Sequence, residues 1–390
     1  MQVLRKGAVV LFGFIILLIG GILLLSSGFI GTESKSAHDN PLKADVDYTN
    51  HRTIDPVRLH SFFSVSSVTL AAVGDILIHD TVYQRAASGN GTYDFNPLFK
   101  QVKPYLDQAD ITIANQETMI GGTAIGLSSY PSFNSPFEIG DALKNAGVDV
   151  VSIANNHTLD RGEKAIFNAI TYWEKIGMVY TGSYKSKEDQ AVTRIVEKNN
   201  ISLAFLSYTY GTNGIPVPAG KPYLVNLINP ERIKRDIKDA EKKADAVVVS
   251  LHFGNEYQRL PSAEQKQLVK EVADAGADVI LGHHPHVLQP FEWLERSNGE
   301  RTFVAYSLGN FLSGQHADYK DIGGILQLHV EKSSVGGEKV VTVKNPSFIS
   351  TYVDQNFVVH PIESSGNTGL YKEINAHMNQ WIPELTFNTK

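Results

Sequence analysis

Short apolar segments alternate with amphipathic segments along most of this chain, and this alternation is the strongest constraint on its fold. The apolar segments, from Val68 onward, read VTLAAV, ITIAN, VDVVSIAN, ISLAFLSY, AVVVSLHF, DVILGHH and TFVAYSLGN. The amphipathic segments between them are residues 97–108, 140–146, 162–176, 230–243 and 262–275. Apolar runs of this length are typical of buried strands, and the spacing of apolar residues between them is helical. The sequence therefore predicts an α/β fold whose core sheet is parallel or mixed.

The pattern changes after Gly323, where helical spacing stops. GILQLHVEK and KVVTVKNPSFIS have the composition of strands and predict a closing hairpin or the edge of a second sheet. We assign residues 67–355 to one α/β domain and residues 356–390 to a C-terminal extension with a helix near Leu370 to Trp381.

The N-terminus carries a long uncharged segment. Residues 8–29 lack any charged side chain, and as a helix they would extend about 33 Å, the thickness of a bilayer core. Arg5 and Lys6 precede this segment, and Glu33 is the first acidic residue after it. The positive-inside rule then predicts a cytoplasmic N-terminus (1–7), a single transmembrane helix (8–29), a stalk (30–66) and an extracellular domain at the cell membrane. A cleaved signal peptide is the alternative interpretation.

The composition excludes several kinds of chemistry. The 390 residues include no cysteine, which excludes disulfides, thiolate metal sites, cysteine nucleophiles and a lipid-anchoring cysteine. A formal net charge of −6 provides no basic field for a polyanion, so nucleic acid is not expected as a partner. Any metal must be held by nitrogen and oxygen ligands.

Polar residues follow six of the predicted strands at the point where each strand ends. They are Asp75 and His79; Asn115, Gln116 and Glu117; Asn155, Asn156 and His157; His252, Glu256 and Tyr257; His283, His284 and His286; and Ser307 and Asn310. Ligand sites in α/β sheets form beyond the carboxyl ends of the strands, where the loops converge. The sequence therefore predicts one site that collects these side chains.

Imidazole, carboxylate and amide groups in one place are suitable ligands for divalent zinc, manganese or iron. We expect Asp75 and Glu117 to bridge one or two such cations. The other predicted metal ligands are Asn156, His252, His283, His284 and His286. The candidate catalytic residues are His157, placed to protonate a leaving group, and Glu256. Further candidate site residues are His79, Asn115, Asn155, Tyr257 and Asn310.

Each of these residues also has a purely structural interpretation. Asp75 could cap a helix, and the Asn155-Asn156 pair is typical of turns. His252 could be a surface histidine, and Glu117 and Glu256 could be solvated carboxylates. The three histidines between positions 283 and 286 are the hardest to explain structurally, because imidazoles are poor core formers.

The series GDILIHD, ANQET, SIANNHTLDRG, LHFGNEY, GHHPHVLQP and YSLGNF, over residues 68 to 330, resembles the CapA/PgsA family of poly-γ-glutamate capsule biosynthesis proteins. That family is similar to the calcineurin-like metallophosphoesterases. The resemblance implies a metallophosphoesterase-like β-sandwich flanked by helices, here preceded by one N-terminal transmembrane helix. Asn156-His157 resembles the GNH motif of those enzymes, and His284-Pro285-His286 resembles their GHxH motif.

Two motifs depart from the phosphoesterase pattern. Where those enzymes have D-x-H, this chain has Asp75-Ile76-Leu77, with His79 two residues further on. Where they have the aspartate of the second motif, this chain has Asn115-Gln116-Glu117, and Glu117 is the only carboxylate.

The resemblance implies a role in the synthesis or export of poly-γ-glutamate, with a metal-dependent site that acts on or binds the polymer. The implied partners are poly-γ-glutamate or another cell-surface polymer, the membrane, and the membrane ligase complex of capsule synthesis. Two alternatives remain open at this point. One is a surface metallohydrolase, a phosphoesterase or amidase unconnected with capsule, and the other is a non-catalytic polymer-binding scaffold.

Overall fold

The computed structural model of this chain describes residues 63–335 and 338–387. In chain order the strands are β1 (Phe63–Leu77), β2 (Ala87–Gly89), β3 (Thr92–Tyr93), β4 (Ile111–Gln116), β5 (Val150–Ser152), β6 (Val179–Thr181), β7 (Arg194–Lys198), β8 (Ile201–Thr209), β9 (Ala246–His252), β10 (Val279–His283), β11 (Leu288–Glu295), β12 (Arg301–Leu308), β13 (Asn310–Ser313), β14 (Ile322–Val335), β15 (Glu338–Val353), β16 (Val359–Pro361) and β17 (Thr386–Phe387).

The α-helices in the described ranges are α1 (Asp80–Arg85), α2 (Asn96–Phe99), α3 (Lys103–Leu106), α4 (Glu138–Ala146), α5 (Gly162–Lys175), α6 (Lys187–Gln190), α7 (Pro230–Ala240), α8 (Ala263–Ala275) and α9 (Thr368–Met378). Every apolar segment that was predicted to be a strand contains a strand in the structure. The amphipathic segments contain helices, although residues 97–108 hold two short ones, α2 and α3, rather than one.

The strands form two large sheets. In the first sheet the order is β16-β15-β14-β1-β4-β5-β6, with β13 beside β1 and β17 beside β15. In the second sheet the order is β11-β12-β10-β9-β8-β7. Strands β1, β4, β5 and β6 run parallel, as do β8, β9, β10 and β12, while the β14-β15 hairpin, β11 and β7 are antiparallel to their neighbours. Both sheets are therefore mixed, as the sequence predicts.

The two sheets pack face to face between layers of helices. Alternate residues of β1 show this arrangement, because side chains on a strand point to opposite faces in turn. Leu70 belongs to the apolar core between the sheets, whereas Ala71 and Val73 belong to the core under α4 and α5. In the second sheet, Val248 faces the core between the sheets and Val249 faces α7 and α8. The domain is a helix/sheet/sheet/helix sandwich, the architecture that the resemblance implies.

Local signals define the ends of the outer helices. Helix α8 begins after Ser262, whose hydroxyl accepts a hydrogen bond from the Gln265 backbone while the Gln265 side chain accepts one in return. This reciprocal pair satisfies two backbone donors that the first turn would otherwise leave free. The helix ends at Gly276, whose φ of 120° is readily adopted only by glycine.

The C-terminal residues complete the sandwich. Strand β17 pairs with β15, and Ile374 and Met378 of α9 lie in the core between the sheets. Helix α9 overlaps the helix predicted near Leu370 to Trp381. The described part of the predicted C-terminal extension, residues 356–387, is thus packed against the domain.

The predicted fold class requires one correction, which concerns the transmembrane helix placed before the domain. Within the described residues, no helix combines the length and apolar character needed to cross a bilayer. The predicted span (8–29) and most of the predicted stalk (30–66) lie outside the described residues.

Candidate metal centre

The polar strand ends meet at one edge of the sandwich. In the first sheet, Asp75 on β1 is paired with Asn115 on β4 and with Asn310 on β13. In the second sheet, His283 on β10 is paired with His252 on β9. The parallel strands of both sheets have their carboxyl ends at this edge. Residues that are distant in sequence therefore come together in one cluster.

Two glycines allow the backbones to approach closely beneath this cluster. A Cβ atom at Gly74 would lie 1.9 Å from the Gly309 carbonyl oxygen, and one at Gly282 would lie 1.9 Å from the Tyr306 carbonyl oxygen. Any side chain at either position would displace a neighbouring strand. The glycine that precedes Asp75 and the one that precedes His283 are therefore required by the packing of the site.

Asp75 lies at the centre of the cluster and is fully buried. Its Oδ1 accepts a hydrogen bond from Asn115 Nδ2 (2.8 Å), and its Oδ2 accepts one from the His284 backbone N–H (3.3 Å). His283 Nδ1 lies 3.4 Å from Oδ1, and His286 Nδ1 lies 3.3 Å from Oδ2. Burial alone would raise the pKa of Asp75, but the two imidazoles hold this pKa well below its usual value.

Glu117 is also fully buried, and neither of its carboxylate oxygens has a hydrogen-bond partner among the described residues. Its Oε1 lies 3.6 Å from His252 Nε2 and 3.7 Å from His286 Nε2. Burial raises the pKa of Glu117 well above its usual value, and the nearby charge of Asp75 adds to this effect. Burial would lower the pKa of His286, but the charges of Glu117 and Asp75 raise it to about 9.

Neutral imidazoles complete the cluster. His252 Nδ1 lies 3.3 Å from Asn115 Nδ2, and its Nε2 lies 2.9 Å from Asn156 Oδ1. The rings of His252 and His284 are 4.9 Å apart. Burial lowers the pKa of His252 well below its usual value and lowers that of His284 to about 3. Unprotonated histidines are the form that binds metal ions.

The donor atoms fit a divalent cation. Those of Glu117, His284 and His286 lie within 4.8 Å of one another, as do those of Asp75, Glu117 and His252. Glu117 belongs to both groups, and its two unpartnered oxygens, together with the unpartnered His284 Nδ1, offer lone pairs that no described residue satisfies. A buried carboxylate without partners is costly unless a cation compensates it. These ligands are nitrogen and oxygen atoms, which zinc, manganese and iron all accept.

His157 lies beside the cluster and is oriented by an acidic residue. Its Nδ1 is 2.7 Å from Asp160 Oδ2, and its ring packs edge-on against Phe133 at 4.7 Å. Asn155 shapes the turn that carries this histidine: its Oδ1 accepts from the His157 backbone N–H (3.0 Å), and its Nδ2 donates to the Gln116 carbonyl (2.9 Å). Asn155 therefore acts through backbone contacts.

The remaining predicted site residues lie around the cluster. Asn310 Oδ1 is 3.1 Å from His286 Nδ1, so Asn310 belongs to the site. His79 Nδ1 accepts a hydrogen bond from the Gly314 backbone (3.1 Å), and His79 is in neither donor group. Glu256 is exposed, and the half-exposed Tyr257 has its ring 6.1 Å from that of His286.

Three residues near the site were not predicted. Asp160 is three positions after His157, within the segment already singled out. Tyr210 packs against His284 with the ring centroids 4.7 Å apart and the planes tilted by 42°, and Asn213 Oδ1 accepts from Asn156 Nδ2 (3.3 Å). Both follow the end of β8, so applying the strand-end rule to this strand would have found them.

The fold and this cluster define an α/β sandwich of two sheets flanked by helices, with a histidine- and carboxylate-rich centre at one edge. Residues 69–315, more than half of the chain, match the family described as "Bacterial capsule synthesis protein PGA_cap". The chain belongs to this family of bacterial capsule synthesis proteins.

Known proteins similar to this chain carry related names. "Capsule biosynthesis protein CapA" from Bacillus anthracis is 28% identical over 317 residues, covering 77% of this chain and 74% of that protein. "PGA biosynthesis protein CapA" from Bacillus subtilis (strain 168) is 28% identical over 289 residues, covering 72% of each. The solved structure of the calcineurin-like phosphoesterase YfkN from Bacillus subtilis aligns with a TM-score of 0.45 and 16% identity, covering 80% of this chain and 98% of that one.

Proposed function

We propose that this protein acts in the synthesis or export of poly-γ-glutamate and that its strand-end cluster is a divalent-metal centre serving that role. The family and the names of the two CapA relatives support the capsule role. One observation supports the metal centre most directly: Glu117 is fully buried, and neither of its oxygens has a hydrogen-bond partner in the part of the chain that the structure describes. The donor atoms of His252 and His286 lie close to one of these oxygens.

The proposed ligands divide between the two donor groups. Asp75, Glu117 and His252 form one group, and Glu117, His284 and His286 form the other, so the shared Glu117 can contact one cation or bridge two. Asn156 borders the first group through His252. Zinc, manganese and iron are the proposed metals. A bound cation of this kind supplies a water of lowered pKa and stabilises negative charge on a phosphoryl or carbonyl centre.

The residues around the ligands have roles of their own. Asp160 fixes the ring of His157 through Nδ1, which leaves Nε2 to hold or deliver a proton at the substrate. Asn115 contacts both Asp75 and His252, which keeps the two sheets in register at the centre. Tyr210 packs against the ring of His284 and restricts the orientations that this ring can adopt.

The proposal includes a location and partners. Relatives named for capsule synthesis support an association with the cell envelope, and we place the domain outside the cytoplasm, where capsule polymer accumulates. The proposed partners are the polymer and the ligase complex that makes it. Co-purification of the ligase with the tagged full-length chain tests the second partner, and its absence from crosslinked complexes would remove it.

Elemental analysis tests the metal centre. The full-length chain is purified without chelator, beside a His252→Ala/His284→Ala variant and a His329→Ala control, a histidine on β14 away from the cluster. We expect one or two equivalents of metal in the wild type and the control, and almost none in the double variant, with all three folded by circular dichroism. Absence of metal from every protein, even after metal is added, would leave a polymer-binding scaffold as the better account.

A second candidate function, hydrolysis of a phosphoester or amide in other cell-surface material, is favoured by the 2.7 Å contact between His157 and Asp160. A histidine oriented in this way is typical of a general acid. Metal-loaded wild-type protein would then cleave a generic phosphodiester or amide substrate, and a His157→Asn variant would be slower by roughly 100-fold. No turnover of any such substrate would reject this candidate.

A further inference from the structure

We propose that Lys320 and Tyr257 form an anion-binding subsite beside the metal centre, and that this subsite takes a carboxylate of the polymer. The inference rests on the proposed function and specifies how the site recognises its substrate.

The position of Lys320 places it at the mouth of the site. Its Nζ lies 5.3 Å from the centroid of the Tyr257 ring, and that ring lies 6.1 Å from the ring of His286. Tyr257 is 47% exposed, so the pair faces solvent next to a proposed metal ligand. An ammonium group over a tyrosine face is held by a cation–π contact, which leaves its N–H donors available.

The charge of Lys320 is poorly compensated within the protein. Its side chain is only 25% exposed, and among the described residues the sole acidic group within 4.0 Å is Asp318, at 3.6 Å and itself 86% exposed. An ion pair to such an exposed carboxylate contributes little. A lysine whose side chain is three-quarters covered and whose acidic partner is weak gains from an anionic ligand that brings hydrogen-bond acceptors.

The backbone of Lys320 is tied to the metal centre through one residue. Its carbonyl oxygen accepts a hydrogen bond from Asn310 Nδ2 (2.8 Å), and Asn310 Oδ1 lies 3.1 Å from His286 Nδ1. The backbone of Lys320 thus cannot shift without disturbing a contact of His286. The loop that carries Lys320 is therefore anchored to the metal centre.

A brace from the C-terminal helix holds the two loops of the subsite together. Arg259, two residues after Tyr257, stacks 3.8 Å from the ring of Tyr319, which precedes Lys320. Glu373 on α9 accepts hydrogen bonds from Arg259 (2.9 Å) and from the Tyr319 hydroxyl (2.7 Å). The brace orders Lys320 before any ligand arrives, which lowers the entropic cost of binding.

The chemistry of the polymer matches this arrangement. Each residue of a γ-linked glutamate chain keeps a free α-carboxylate beside two methylene groups. Lys320 offers charge to the carboxylate, and the exposed faces of Tyr257 and Tyr210 offer apolar surface to the methylenes. Glu256 is exposed beside Tyr257 and would repel a carboxylate there, so the cationic position of the subsite is on the Lys320 side of the ring.

The test measures binding of a labelled γ-glutamate oligomer to the full-length chain by fluorescence anisotropy. Lys320→Met removes the charge while keeping the length of the side chain, and Lys320→Arg keeps the charge. Lys198→Met is the matched control, on an exposed lysine of β7 in the second sheet. A second oligomer, with every α-carboxylate converted to a carboxamide, measures the dependence on the carboxylate.

We expect Lys320→Met to weaken binding of the acidic oligomer about 10-fold, as loss of one charged hydrogen bond does, with Lys320→Arg and Lys198→Met close to wild type. The carboxamide oligomer should bind wild type and Lys320→Met equally weakly. Wild-type binding that Lys320→Met leaves unchanged overturns this inference alone. A wild-type chain that does not bind the acidic oligomer counts against the proposed function itself.

Discussion

Replacing Glu117 by glutamine should change stability in opposite directions with and without metal. In the metal-free chain the carboxylate is fully buried and has no hydrogen-bond partner among residues 63–335 and 338–387, and its pKa is raised by burial well above the ordinary value of 4.5. A carboxylate whose pKa is raised on folding lowers stability as the pH rises from that ordinary value toward the folded one. At neutral pH the wild type therefore carries a penalty that Glu117→Gln removes.

The magnitudes follow from the burial and from mass action. A buried group left without a partner costs about 1 to 3 kcal/mol, so the metal-free variant should be more stable than the metal-free wild type by about this amount. Metal at a thousandfold excess over its dissociation constant adds about 4.1 kcal/mol to the wild type, which outweighs that difference. The variant loses the ligand shared by both donor groups, so it should gain almost none of this stabilisation.

The assay is urea unfolding of the full-length chain at pH 7, with chelator and with added manganese or zinc. Glu197→Gln, an exposed glutamate on β7, is the matched control and should change stability by less than about 0.5 kcal/mol in either state. A Glu117→Gln variant that metal stabilises as much as the wild type would refute the reasoning, as would one that is destabilised without metal.

Three other substitutions test the fold around the site. Gly282→Ala should destabilise by more than about 3 kcal/mol or yield insoluble protein, because its Cβ would lie 1.9 Å from the Tyr306 carbonyl oxygen; a soluble variant with an unchanged melting temperature would contradict this. Lys332→Met should raise the pH at which acid unfolds the protein. Burial alone would raise the pKa of Asp245, but hydrogen bonds, of which that from Lys332 is the strongest, hold this pKa low, and the resulting stabilisation is lost as the pH falls below about 4. An acid-unfolding midpoint that does not change would contradict this prediction. Phe291→Ala, in the core between the sheets, should cost about 3 to 5 kcal/mol in urea unfolding yet leave the metal content of the folded protein unchanged.

Much of the fold could be predicted because strand and helix patterns are local. The apolar segments and the amphipathic segments between them appear as strands and helices close to the predicted bounds. The alternation of apolar and amphipathic segments does not predict which strands belong to which of the two sheets. Strands such as β4 and β9 are buried at every residue, so either sheet would satisfy them.

The candidate site was predictable to the extent that strand ends determine it. Asp75, Glu117, His252 and His286 come together as expected, because parallel strands deliver their carboxyl ends to one edge. The direction in which each of these side chains points could not be predicted from the sequence. The same motif that carries His157 also carries Asn155, whose side chain satisfies backbone groups.

Other parts of the site depend on long-range packing. Strand β13 returns to pair with β1 at Asp75, which brings Asn310 to the site from far along the chain. The brace between Arg259 and Glu373 joins a loop to the C-terminal helix across more than 100 positions. The strand-end position of Asn310 predicted that it belongs to the site, but no local pattern specifies the strand pairing or the brace, since both arise only when the sheets have packed.

X-ray diffraction from crystals of the full-length protein grown with manganese or zinc, measured at the absorption edge of that metal, tests the central claim most directly. We predict an anomalous peak about 2 Å from an oxygen of Glu117 and from a nitrogen of His252, His284 or His286. Crystals that contain the metal only at surface positions, with Glu117 still unpartnered, would contradict the metal centre on which this account of the protein depends.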